Sequence, residues 1–161
     1  MRKILLEEVF IGACVRVFQS SSSVLSPLRV IGINSGGLLT LKPLFVDVGD
    51  SVITSSVDAV YGVPIDADLL RRLGFVEAYR DNVWFYLVGG IRLTASLRQR
   101  HGAVECRRVA MTGDVCCWNE DIRYLHELQR WWTDKALLVC GTRLTFGGRK
   151  EGDGDGRKVF A

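Results

Sequence analysis

The stretch Phe75-Val-Glu-Ala-Tyr-Arg-Asp-Asn-Val-Trp-Phe-Tyr-Leu-Val-Gly-Gly-Ile-Arg-Leu-Thr-Ala-Ser-Leu-Arg-Gln-Arg-His-Gly-Ala-Val-Glu-Cys-Arg-Arg-Val-Ala-Met111 decides the fold. Strand-forming runs at Phe75 to Tyr79, Val83 to Val88, Ile91 to Gln99 and Val104 to Met111 are punctuated by Arg80-Asp81-Asn82, Gly89-Gly90 and His101-Gly102. Connections this tight join antiparallel neighbours, so the stretch predicts a β-meander. Strand alternation puts Trp84 and Tyr86 on one face and Phe85 on the other.

Downstream, Asn119 to Leu137 predicts a helix, with Asn119 as its cap and Glu120 and Asp121 at the positive helix end. Ile122, Tyr124, Leu125, Leu128, Trp131, Trp132 and Ala136 cover one half of the wheel, and Glu127, Arg130 and Asp134 the other. Such a helix must cover something apolar, and the meander needs a cover. Upstream, Asp66 caps a short helix that Gly74 ends before Phe75. Further upstream, Ala13 to Gln19, Leu28 to Asn34, Leu38 to Leu41, Val46 to Val48 and Val52 to Thr54 read as five short strands, with a glycine-bearing turn at Ser35-Gly36-Gly37. They predict a small antiparallel barrel, SH3-like in scale, or a curled sheet.

The expected class is therefore α+β: a barrel-like half over 1–62, then a short helix and a meander with its covering helix over 63–146. The alternative is one compact domain over 1–146. Leu138 to Phe146 reads as a last strand, and Gly147 onward alternates glycine with charge and reads as a disordered tail.

With 161 residues and 48% hydrophobic side chains, the chain has ample material for a core, which excludes wholesale disorder and fibrous classes. No apolar run approaches the roughly 18 residues of a membrane span. Glu7 and Glu8 interrupt the apolar stretch that follows Arg2-Lys3 before it becomes a signal-peptide core, and the chain reads as cytoplasmic with no membrane partner.

The formal charge of +3 is unevenly spread. Residues 92–110 hold five basic groups, Arg92, Arg98, Arg100, Arg107 and Arg108, against Glu105 alone, whereas the flanking segments are close to neutral. These arginines are the candidate footprint for the phosphates of a nucleic acid or a phosphate-bearing small molecule. Solvated strand faces and a hairpin tip explain them more simply, because surface arginine is ordinary. Trp84 and Tyr86, if outward, would stack bases beside them; packing against the long helix is the reading favoured first.

Signs of chemistry are sparse. The five cysteines, Cys14, Cys106, Cys116, Cys117 and Cys140, follow neither a disulfide nor a zinc pattern. No metal site, cofactor or catalytic set is expected. Cys116 or Cys117 could be activated by a helix opening at Asn119 and serve an enzyme together with His126. His126, with Gln129 on the same border of the helix, is a candidate ligand contact, although a structural hydrogen bond accounts for it more simply. Gly36-Gly37 and Gly89-Gly90 lack a phosphate-loop context, no GxSxG elbow occurs, and the carboxylates make no visible acid/base pair.

In the order of its motifs the chain resembles a set of small uncharacterised proteins common in Bacteroidetes genomes, prophages and mobile elements. The stretches that carry the likeness are Phe10-Ile11-Gly12, then Val63-Pro64-Ile65-Asp66 leading to Leu73-Gly74-Phe75, and Ile122-Arg-Tyr124-Leu125-His126-Glu-Leu128-Gln129. Trp131-Trp132 and the charged tail depart from the usual form. The resemblance implies a phage or mobile-element setting and carries no activity with it. The functional expectation is a non-catalytic binding module whose partner is nucleic acid or a host protein; the alternatives are an anti-defence protein that sequesters a nucleotide signal and a cysteine-dependent enzyme.

Overall fold

The turn that sets the register of the first sheet is Asn34-Ser-Gly-Gly37. The Asn34 side-chain oxygen accepts from the backbone N–H groups of Gly36 (3.0 Å) and Leu38 (2.9 Å), and Gly37 takes φ +74°. An Asn-led turn ending in glycine reaches that geometry without strain. A computed structural model describes residues 2–18, 27–45, 51–78, 82–88, 91–100, 103–113 and 116–135, with residues 99–100, 103–113 and 116–119 described by backbone alone.

The turn joins β2 (Leu28–Ile33) to β3 (Leu38–Pro43) in a sheet that also holds β1 (Cys14–Val17), β4 (Ile53–Ser56) and β5 (Val60–Gly62). The order is β4-β3-β2-β1-β5, antiparallel throughout. A single 3-10 turn, Val57–Ala59, leads from β4 to β5 and is capped by the Ser56 hydroxyl, which accepts from the Asp58 N–H at 3.3 Å. Ile4, Ala13, Val15, Val17, Leu28, Val30, Leu39, Leu41 and Val60 form the core of this half.

The expected barrel is not closed among the described residues, since β4 and β5 lie at opposite ends of the sheet. The N-terminal segment occupies the edge that closure would need. The Ile4 N–H donates to the Val60 carbonyl (3.3 Å), the Gly62 N–H donates to the Arg2 carbonyl (3.1 Å), and Lys3 bridges Tyr61. The fifth strand is Val60–Gly62, whereas the expected strand at Val46 to Val48 lies outside the described residues.

The short helix forms as its ends predict. In α1 (Ala67–Arg72) the Asp66 carboxylate accepts from the Leu69 N–H at 2.8 Å. At the other end Gly74 has φ +90°, and the N–H groups of Phe75 and Gly74 donate back to Leu70 and Arg71. This is the paired closure that a glycine in the left-handed region permits.

The meander is present as β6 (Val76–Glu77), β7 (Val83–Val88), β8 (Ile91–Arg100), β9 (Ala103–Gly113) and β10 (Cys116–Glu120), each strand pairing with the next. On β8 the side chains of Ile91, Leu93, Ala95 and Leu97 are buried, while Arg92 is exposed and Thr94, Ser96 and Arg98 are half-buried. The buried set joins Trp84, Leu69, Leu70, Phe75 and the apolar side of α2 (Leu125–Lys135) in one core. Cys14, Leu44 and Phe45 belong to the same core, so side-chain packing as well as chain continuity ties the first half to the second.

The long helix begins six residues later than expected. Cys116–Glu120 pairs with Val109–Gly113 instead, and Asn119 lies opposite Ala110 rather than capping a helix. The edge of β9 offers backbone partners that outweigh the helical preference of Asn-Glu-Asp. Residues 123–125 then pair with 63–65: the Ile65 N–H donates to the Arg123 carbonyl (3.0 Å) and the Leu125 N–H to the Val63 carbonyl (2.9 Å). The Glu127 carboxylate supplies the cap, accepting from the N–H groups of Arg123 and Tyr124 at 3.1 Å each. The buried face of α2 is the expected one, with Leu125, Leu128, Trp131 and Trp132 inward. Each buried leucine contributes about 1.5–3 kcal/mol relative to exposure. The expected strand at Leu138 to Phe146 and the tail lie outside the described residues. No helix among the described residues is long and apolar enough to cross a membrane.

Candidate functional site on the outer face of the meander

The meander has its core on one side, and the alternation of β7 and β8 defines what the other side presents. Val83, Phe85 and Leu87 on β7 stand opposite Ser96, Thr94 and Arg92 on β8, and Val76 of β6 stands opposite Phe85. Val76 is 56% and Leu87 64% exposed, values that are high for apolar strand residues. Beside Leu87, the Arg92 guanidinium lies 5.7 Å from the centre of the Phe85 ring, within the range of a cation–π contact. Arg98 lies six residues along the same strand face, about 20 Å from Arg92 at the usual rise per residue. Its side chain is half-buried, and its Nε has no hydrogen-bond partner among the described residues.

The other arginines of the expected footprint are placed by register alone. Arg108 lies opposite Ser96 and Arg100 opposite Ala103. The pairing shifts between Ser96 and Leu97, so that Arg107, between Arg108 and Cys106, has no partner position on β8. Glu105, the single acid of the segment, lies opposite Arg98. The side chains of Arg100, Arg107 and Arg108 are outside the described residues.

Trp84 and Tyr86, the candidates for base stacking had they faced outward, are on the inner side, where core packing placed them first. Trp84 is 3% exposed in the core, with the Arg71 guanidinium 5.5 Å from its ring. Tyr86 packs against the same core and stacks on Phe75 with ring centres 5.2 Å apart. Alternation correctly grouped Trp84 with Tyr86, but the outward aromatic is Phe85, which sequence reasoning left aside.

His126 and Gln129 do not join the arginines. The Gln129 amide is used at both ends: its oxygen accepts from the Cys14 N–H and its nitrogen donates to the Gly12 carbonyl, both at 2.9 Å. It fastens α2 to the start of β1. His126 is 2% exposed and stacks on Tyr124 with ring centres 5.9 Å apart, and neither ring nitrogen has a partner among the described residues. Burial pushes its pKa below the usual imidazole value, against the opposing pull of Glu127 and Glu8. The pair rests on Gly62, where a Cβ would lie 2.6 Å from the Tyr124 ring and 3.1 Å from His126 Cε1.

Burial likewise pushes the Cys14 thiol up to about 12, so it stays protonated and inert. Asn119 sits in β10, so a helix opening there is not available to activate Cys116 or Cys117, whose side chains lie outside the described residues. No group of three His, Cys, Asp or Glu side chains that could hold a metal occurs among the described residues.

A second charged feature is not visible in any single segment. Glu8, Glu120, Asp121, Glu127 and Asp134 line an open groove of about 330 Å³ with Ile122, Trp131 and Arg130. Arg2 bridges Glu8 and Glu127 beside it. The groove is on the α2 side of the meander, whereas Arg92 and Arg98 are on the side away from α2. Arg92 and Arg98 thus face away from the carboxylates of this groove, although Glu105 stands opposite Arg98 in the register. The chain matches no known protein family, no curated protein and no solved structure.

Proposed function

We propose that the chain is a non-catalytic binding module that takes up nucleic acid on the outer face of the meander. The observation that carries this reading is that Arg92 and Arg98 share a face with Phe85, remote from the acidic groove. Guanidinium groups spaced along one face attract a polyanion, and the acidic groove on the other side would repel it and so orient it. Neither the buried His126 nor the protonated Cys14 offers a working acid, base or nucleophile on this face. The resemblance noted above adds a phage or mobile-element setting to the proposal. The test is a gel shift and heparin retention over a salt series. The reading expects binding that weakens steeply with salt; no binding at low salt, or binding indifferent to salt, would refute it.

A host protein is the second reading, favoured by the exposure of Leu87 and Val76 beside Arg92. Apolar residues next to arginine make a common interface composition. It predicts a stoichiometric complex, detectable by size exclusion, that Leu87→Asp abolishes while nucleic acid fails to compete.

A further inference from the structure

We infer that the ligand of this face is a single-stranded nucleic acid, with an unpaired base stacked on Phe85 and Arg92 placed to hold the adjoining phosphate. The inference rests on the proposed nucleic-acid reading and deepens it. A duplex presents phosphate rails to a protein and keeps its base faces hidden inside the stack, so a surface made for a duplex needs cations and polar groups rather than apolar ones. The outer face of β6, β7 and β8 has a different composition. Val76, Phe85 and Thr94 form one row across the three strands, and Leu87 and Arg92 form the neighbouring row. The exposed apolar groups are thus adjacent to an aromatic ring and a guanidinium, spaced by the roughly 4.8 Å between strands.

Splayed bases have apolar faces and a charged backbone, and the two rows offer a partner to each. A half-buried ring such as Phe85 accepts a base face when the Arg92 guanidinium, which lies over the ring 5.7 Å from its centre, turns to the adjoining phosphate, and Leu87 and Val76 flank it. Because every base has a π-face, such a surface tolerates many sequences.

The experiment is fluorescence anisotropy of the full chain with labelled oligothymidine and oligouridine of about twelve nucleotides, against a duplex of equal length. The expected result is that at least one single strand binds about tenfold or more tighter than the duplex. Phe85→Ala should lose about five- to hundredfold in single-strand affinity, with Phe85→Trp restoring it. Leu87→Ala alters a largely exposed side chain, leaves the core intact and should lose affinity several-fold. Equal binding of duplex and single strand, or a Phe85→Ala protein that melts normally and binds like the parent, overturns the inference and leaves nucleic-acid binding standing. Absence of binding to every probe at low salt overturns both.

Discussion

Replacing Gln129 tests how the two halves are fastened. Its amide accepts from the Cys14 N–H and donates to the Gly12 carbonyl, each at 2.9 Å, across more than a hundred residues of chain. Cys14 is fully buried, so Gln129→Ala leaves its N–H with no acceptor, a loss of about 1–3 kcal/mol. The Gly12 carbonyl is only part-buried and regains water, which adds about 0.5–1 kcal/mol. The sum, about 1.5–4 kcal/mol, is a large share of the stability of a domain this size. Gln129→Glu sharpens the reasoning, because one carboxylate oxygen still accepts from Cys14 while the other faces the Gly12 carbonyl, oxygen to oxygen. Protonation converts that second oxygen into a donor, so the folded state raises the pKa of the introduced carboxyl. The stability it contributes is then present below the unfolded pKa and lost as pH rises through the folded one. Urea unfolding should show a lower midpoint at unchanged slope for Gln129→Ala, and for Gln129→Glu a deficit at neutral pH that shrinks on acidification. A Gln129→Ala unfolding free energy within about 0.5 kcal/mol of the parent would refute the strut.

Three further outcomes follow from buried groups. Gly62→Ala sets a methyl 2.6 Å from the Tyr124 ring and should lower stability by about 1–3 kcal/mol, while Gly36→Ala, with its nearest neighbour at 3.5 Å, should stay close to the parent; equal melting temperatures for the two would contradict this. His126 is neutral in the fold because burial lowers its pKa, so its contribution is full above the unfolded value of about 6.5 and falls as pH drops below it. His126→Phe should flatten that acid limb in a series of unfolding curves, and an unchanged limb would assign it to other groups. Cys14, with its thiol pushed up to about 12, should resist alkylation near neutral pH until the chain unfolds, which mass spectrometry of labelled peptides reads directly.

The parts of this fold that the sequence announces are those set by local chemistry. Asp66 and Gly74 mark the ends of α1 because a cap and a left-handed residue act within one turn. The apolar side of α2 is legible as a period, but its start is not: Asn119-Glu-Asp suits a helix opening, and only the distant edge of β9 makes it a strand. β5 escapes notice for a similar reason, as three residues become a strand by pairing with β1 forty-odd positions earlier. At the candidate site, strand alternation separates Phe85 from Trp84 and Tyr86 but cannot say which side meets the helices. His126 and Gln129 look like a ligand pair on a helical wheel, yet Gly62, Gly12 and Cys14 take them up. The acidic groove gathers Glu8 with Asp134, so counting charge along the chain cannot reveal it.

The central claim is that Arg92 and Arg98 meet a nucleic-acid backbone on the outer face of the meander. The most direct measurement is the slope of log affinity against log salt for a single-stranded oligonucleotide, in the parent chain and in Arg92→Gln/Arg98→Gln. Each phosphate contact contributes about 0.7 to that slope on a single strand, so the double variant should show a slope shallower by about 1.4, with weaker binding at low salt. A parent that binds with the same slope as the double variant would contradict it.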